Sequence, residues 1–182
     1  MLLSFVKSSK KMAIGLAAAA VVVVGAGAGT AYALITNSTG TFSDRQYFAT
    51  NDVAYTVPAA TPSGTWVNVP GMVRTISVPA NTRRLVDARF TAESMCTGGS
   101  WCSVRIVVVN SAGAVTQLYP QSGTDFAFDS PSADLWESNA IERNSRTFLP
   151  TGTYRVYVQA AKVGSPTFRL DDMHLAVEAV RP

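Results

Sequence analysis

The chain has 182 residues, 47% of them hydrophobic, with 15 Lys and Arg against 12 Asp and Glu. Lys7, Lys10 and Lys11 stand near the N-terminus and every acid lies beyond Ala33, so the rest of the chain is formally neutral. A neutral domain lacks the electrostatic footprint that nucleic-acid binding needs, and no nucleic-acid partner is expected.

Residues 1–33 read as a secretory signal peptide: a basic start, an uncharged apolar run from Ala13, and the small-residue exit Ala31-Tyr32-Ala33. The alternative is an uncleaved membrane anchor, because a span needs roughly 20 apolar residues and the run from Ala13 to Ile35 is about that long. Under either reading the lysines hold the N-terminus in the cytoplasm, and the remainder is outside. The expected location is therefore extracellular, secreted or anchored, with membrane contact only if the leader is retained. Cys96 and Cys102 in an exported chain are most simply a disulfide, a local clamp on a short loop.

Residues 34–62, rich in Thr, Ser, Ala and Asn, read as a linker or extended arm, with Val53–Val57 as a candidate edge strand. From 63 to 182 the texture is short β-rich runs broken by Gly, Pro, Asn and Ser, the pattern of an all-β sandwich. Val67 and Val69 precede an expected turn at Pro70-Gly71. Ile76 and Val78 follow, ending at Pro79-Ala80-Asn81. Val86, Ala88, Phe90 and Ala92 alternate with Asp87, Arg89, Thr91 and Glu93, as in a strand packed on one face and wet on the other. Thr97-Gly98-Gly99-Ser100-Trp101 is the loop inside the disulfide, and Val104, Ile106 and Val108 point inward on the return strand. A further strand is expected from Val115 to Tyr119. Asp134 to Phe148 carries both helical and extended signals, and its second half favours a strand. Thr147-Phe148 would then enter a hairpin at Pro150-Thr151-Gly152. Tyr154, Val156, Val158 and Ala160 alternate with Arg155, Tyr157 and Gln159. In the last strand Phe168 and Leu170 share one phase, while Met173, Leu175 and Val177 share the other. That slip predicts a β-bulge at Asp171-Asp172.

The segment Thr167-Phe168-Arg169-Leu170-Asp171-Asp172-Met173-His174-Leu175 resembles the final strand of galactose-binding-like jelly rolls, which include many carbohydrate-binding modules. Gly152-Thr153-Tyr154-Arg155-Val156 resembles a strand of the same domains. The Gly-Phe-Glu-like opening of that group is absent. The resemblance implies an antiparallel two-sheet β-sandwich of jelly-roll type and a ligand of carbohydrate class.

No motif specifies a reaction. His174 is the only histidine, so any Ser-His or Cys-His mechanism must use it, and it stands in a strand as an exposed residue would. Carboxylate pairs that could serve glycoside hydrolysis are Asp125 with Asp129, Glu137 with Glu142, and Asp171 with Asp172. Cross-strand ion pairs with Arg143, Arg155 or Arg169 are the plainer role for these acids. Asp171 and Asp172 also carry oxygen ligands suited to calcium, and similar jelly rolls hold a structural calcium; no other cofactor is expected. Sugars stack on aromatic rings with a few polar groups setting orientation. Trp101, in its clamped glycine-rich loop, is the foremost candidate, with Trp136 and Tyr119 beside loop segments. The plainer role is a ring folded over the sandwich end, and Trp66 reads as core. The leading expectation is a secreted, non-catalytic module that binds polysaccharide, a cell-surface glycan or another envelope surface. The second is a structural or interaction domain for another extracellular protein, and the third is a secreted carboxylate hydrolase.

Overall fold

The computed structural model describes residues 43–98, 100–123, 126–130 and 135–182, so the leader read at 1–33 lies outside the described residues. The described chain is all β, with strands β1 (Ser43–Asn51), β2 (Tyr55–Thr56), β3 (Val67–Thr97), β4 (Cys102–Asn110), β5 (Val115–Gln117), β6 (Glu137–Asn144), β7 (Leu149–Lys162) and β8 (Thr167–Val180). The hydrogen-bonded path runs β1-β8-β3-β7-β4-β5, with β2 also on β8 and β6 also on β3. Every pairing is antiparallel.

The two sheets share β3. Its first part, as far as Arg84, pairs with β7, and from Leu85 onward it pairs with β8. One sheet is thus β1 and β2, β8, the end of β3, and β6. The other is the start of β3, then β7, β4 and β5. Their inner faces close on one core, which gives a two-sheet antiparallel β-sandwich.

Alternation builds that core as the sequence predicts. Val86, Ala88, Phe90 and Ala92 are buried from β3, Val104, Ile106 and Val108 from β4, and Tyr154, Val156, Val158 and Ala160 from β7. Phe90 is 0% exposed and meets Phe128 with ring centroids 5.9 Å apart. The expected slip in β8 is present. Thr91 pairs with His174 and Glu93 with Asp171, so two steps of β3 face three of β8. Asp172 takes the extra place with φ 44°, and the Asp171 carboxylate accepts its N–H at 2.9 Å. Phe168, Leu170, Met173, Leu175 and Val177 are all buried as a result.

The expected turn at Pro70-Gly71, strand end at Pro79-Ala80-Asn81 and hairpin at Pro150-Thr151-Gly152 are instead parts of continuous strands. Pro70-Gly71 and Pro79-Ala80-Asn81 lie within β3, as insertions in its ladder with β7. Five steps of β3 run against two of β7 at each place, between Asn68 and Val73 and between Val78 and Arg83. Gly71 (φ 77°) and Asn81 (φ 58°) take left-handed backbone there. A proline cannot donate to a ladder and a left-handed residue kinks it, but a bulge accepts both and the strand continues. Pro150-Thr151-Gly152 is likewise inside β7, opposite the second of these insertions. The connection from β6 to β7 crosses between the sheets through Ser145–Phe148, where the Ser145 hydroxyl donates to Thr147 O (2.7 Å) and Arg146 N–H to the Asn144 side chain (2.8 Å).

The ambiguous stretch is a strand, β6, on the edge of the first sheet. Part of the segment read as an extended arm is also ladder: β1 pairs with β8 from Ser43 to Asn51, β2 follows it, and Val57 donates to Phe168 O at 2.9 Å. Trp66 is not core. It precedes β3, half-buried, with the Arg105 guanidinium 4.4 Å from its ring centroid.

Candidate functional site

The disulfide forms as expected: Cys96 is the last residue but one of β3, Cys102 opens β4, and their Cα atoms are 5.9 Å apart, within the usual range for a bridge. Three other segments pack around this end of the sandwich. Cys102 N–H donates to Asp129 O (2.9 Å) and Phe128 N–H to Cys102 O (2.8 Å). Val163 N–H donates to Trp101 O at 3.0 Å, and Gly64 N–H to Lys162 O at 2.8 Å.

The loop bearing Trp101 fits because two glycines let backbones meet. A Cβ on Gly98 (φ 99°) would stand 3.3 Å from Pro166 Cα, and one on Gly164 (φ 82°) would overlap the Ser100 hydroxyl and lie 2.9 Å from Ser100 Cβ. With both sides bare, Gly98, Ser100 and Trp101 press against residues 163–166. Trp101 is 38% exposed, and its backbone is held by the bridge at the adjoining Cys102 and by the Val163 bond to its carbonyl.

Beside it runs a groove of about 500 Å³, between residues 56–63 and 162–167. Its polar lining includes Thr56, Thr61, Ser63, Lys162, Ser165 and Thr167. Lys162 is 6% exposed, and its ammonium donates to Ala59 O at 2.7 Å. The Ser63 hydroxyl accepts Gly164 N–H at 2.8 Å, which ties the two walls together. Hydroxyls, carbonyls and a buried ammonium in the groove, with the exposed Trp101 on the neighbouring loop, are groups that can hold a polyhydroxylated ligand by hydrogen bonds and stacking. Sequence reasoning missed this groove. Lys162 is the sole lysine beyond Lys11, but no periodicity links residue 162 to residue 59.

Trp136 belongs to the same end. The Arg169 guanidinium lies 5.0 Å from its ring centroid, and Arg169 pairs with Met95, two residues before the disulfide loop begins at Thr97. Tyr119 does not join them. It bridges Asn144, across the eight-residue β6 from Trp136, roughly 25 Å away at 3.3 Å per residue. Its ring instead meets the Arg146 guanidinium at 5.1 Å.

Of the carboxylate pairs named from sequence, Glu137 with Glu142 and Asp171 with Asp172 do not face each other across a gap. Asp125 lies outside the described residues. Glu137 pairs with Ser94 and Glu142 with Arg89, an odd number of residues apart on one strand, so they project to opposite faces. Asp171 accepts the Asp172 N–H within the bulge. Among the described residues no group of three or more His, Cys, Asp and Glu is placed to hold a metal ion. His174 is on the outer face, its ring 5.7 Å from that of Phe48. The arginines expected beside acids lie over rings: Arg143 over Phe126 at 5.0 Å and Arg155 over Tyr157 at 5.5 Å.

Acids do meet at a place that no spacing along the chain foretold. On the outer face of the first sheet Asp87 pairs with Glu178, and Glu142 lies on the adjacent strand opposite Arg89. These four residues and Ala176 line a depression of about 250 Å³. Desolvation, then Glu142 and Glu178, raise the Asp87 carboxyl to about 6, and its Oδ1 is buried without a hydrogen-bond partner. Asp129, 5% exposed, is also raised, chiefly by desolvation, against a hydrogen bond from Ser94 that lowers it.

No protein-family model and no curated protein matches the chain. Among solved structures it is similar to the infectious bursal disease virus Gt strain, at 16% identity and a TM-score of 0.43, covering 75% of this chain and 33% of that one. It is similar also to the T=1 particles derived from infectious bursal virus, at 14% identity and a TM-score of 0.45, covering 75% and 32%. The chain spans about a third of the length of the structures it matches.

Proposed function

We infer that this domain is a non-catalytic binding module, working outside the cell, that takes carbohydrate or another envelope polymer at its disulfide end. The observation that carries this reading is the seating of Trp101. A bridge, two bare glycines and the Val163 bond fix the backbone of the loop that carries the partly exposed Trp101, and residues packed against that loop line a polar groove. A loop fixed before binding spares the ligand the cost of ordering it. Trp136, under Arg169 on the same end, extends the aromatic surface. Calcium belongs to the reading only as a structural ion at Asp171 and Asp172.

Titrating soluble oligosaccharides while following tryptophan emission, with calcium and with chelator, tests it. A saturable change that Trp101→Ala removes supports the reading, and a chelator effect assigns Asp171 and Asp172. A panel without response, or a response intact in Trp101→Ala, contradicts it.

Protein contact is the second reading, and one observation favours it. Phe48, 52% exposed, stands on the edge strand β1 of the first sheet. That reading expects a stable oligomer or a co-purifying protein, with no glycan response.

A further inference from the structure

The groove at the disulfide end holds a single charged side chain among its described lining residues, that of Lys162. Lys162 closes β7 and pairs with Cys102 of the bridge. It is 6% exposed and shares the phase of Val158 and Ala160, which face the core. One wall of the groove is formed by residues 162–167 and the other by 56–63. The ammonium reaches from the first wall to the second, where it donates to Ala59 O at 2.7 Å. Two further bonds tie the same walls: Gly64 N–H to Lys162 O (2.8 Å) and Gly164 N–H to the Ser63 hydroxyl (2.8 Å).

No Asp or Glu is among the described residues that line the groove. An ammonium carries three N–H donors, and Ala59 O takes one of them. A cation stripped of most of its water is costly without a counter-charge. A neutral carbonyl offsets part of that cost, and a carboxylate offsets more through a charge-assisted bond.

The rest of the lining suits a polyhydroxylated body that bears one negative charge. Thr56, Thr61, Ser63, Ser165 and Thr167 bring hydroxyls, each able to donate and to accept. The volume, about 500 Å³, falls within the usual span of small-ligand pockets, roughly 300–1,000 Å³. A dianion such as a phosphate monoester would keep one charge unmatched by a single ammonium, whereas a carboxylate is matched.

We propose that this groove selects acidic sugars, those that bear a carboxylate as a uronic acid does, and that Lys162 sets the preference. The inference rests on the reading of this end as a carbohydrate site and adds to it the charge of the ligand.

Calorimetric titration of the full chain with short oligomers of glucuronic, galacturonic and mannuronic acid, each beside its own methyl ester, tests the proposal. Esterification removes the charge and keeps the rest of the sugar. At least one acid should bind about tenfold or more tighter than its ester. Lys162→Gln retains an N–H donor for Ala59 O and should abolish that difference. Arg155→Gln, an exposed cation elsewhere, should preserve it. The ratio of acid to ester in the parent decides by itself where melting curves show that Lys162→Gln has lost the fold. Acid and ester bound equally by the parent, or a preference intact in folded Lys162→Gln, overturns the proposal. Neutral sugars that then bind in a Trp101-dependent way would leave the carbohydrate site standing without its selectivity. No response to any sugar overturns both.

Discussion

Asp87 owes its chemistry to its neighbours across the ladder. Its pairing puts it against Glu178 and near Glu142, with one oxygen buried and unpartnered. Desolvation and like charge both favour the protonated form, which raises the folded value to about 6. A carboxyl raised on folding contributes stability that is complete below the unfolded value and lost as pH rises through the folded one. Thermal melts should therefore show stability falling from about pH 4 to pH 7 through this group, the span between ordinary and raised values. Asp87→Asn should flatten that slope and melt higher than the parent at pH 7.5; an unchanged slope would refute the assignment. Phe90 is the opposite kind of residue, apolar, fully buried and in contact with Phe128. Phe90→Ala should cost about 3–5 kcal/mol in denaturant unfolding, the usual loss for a large core ring.

At the scale of elements, strand phase was legible in the sequence and strand partnership was not. Val86 to Ala92, Tyr154 to Ala160 and the split phase of β8 each declared a buried face by alternation, and the slip at Asp171-Asp172 declared its bulge. Pro70-Gly71 and Pro79-Ala80-Asn81 misled because the same residues serve a turn or a bulge, and only the ladder with β7 decides between them. The disulfide was legible from spacing, but the groove at its side joins residues 59 and 162, which no local pattern connects. Reducing that clamp by Cys96→Ser/Cys102→Ser should cost about 2 kcal/mol, given its short loop. Acrylamide quenching at Trp101 should become easier in the same variant. Gly164→Ala should displace the Trp101 loop, because the added methyl meets Ser100, and Ser100→Gly should restore much of the quenching pattern. Equal quenching in all three proteins would show that the loop is not set by this contact.

Across the whole molecule, the candidate site sits at one end of the sandwich rather than on its faces. Strands alternate inward and outward, so a sheet face presents rows of separate side chains, while the connections at the ends gather residues distant in sequence. There loops from four parts of the chain surround the disulfide, and residues packed against the Trp101 loop line a groove with Lys162. Tyr119, named with the tryptophans from its loop position alone, falls across β6 from Trp136 and serves as an internal control for this site.

The most direct test of that site is retention of the purified protein on a panel of insoluble polysaccharides, comparing the parent with Trp101→Ala and Tyr119→Ala. The parent and Tyr119→Ala are expected to be retained on at least one polysaccharide and Trp101→Ala to be released. Retention of Trp101→Ala equal to the parent, or no retention of the parent on any polysaccharide, would contradict it.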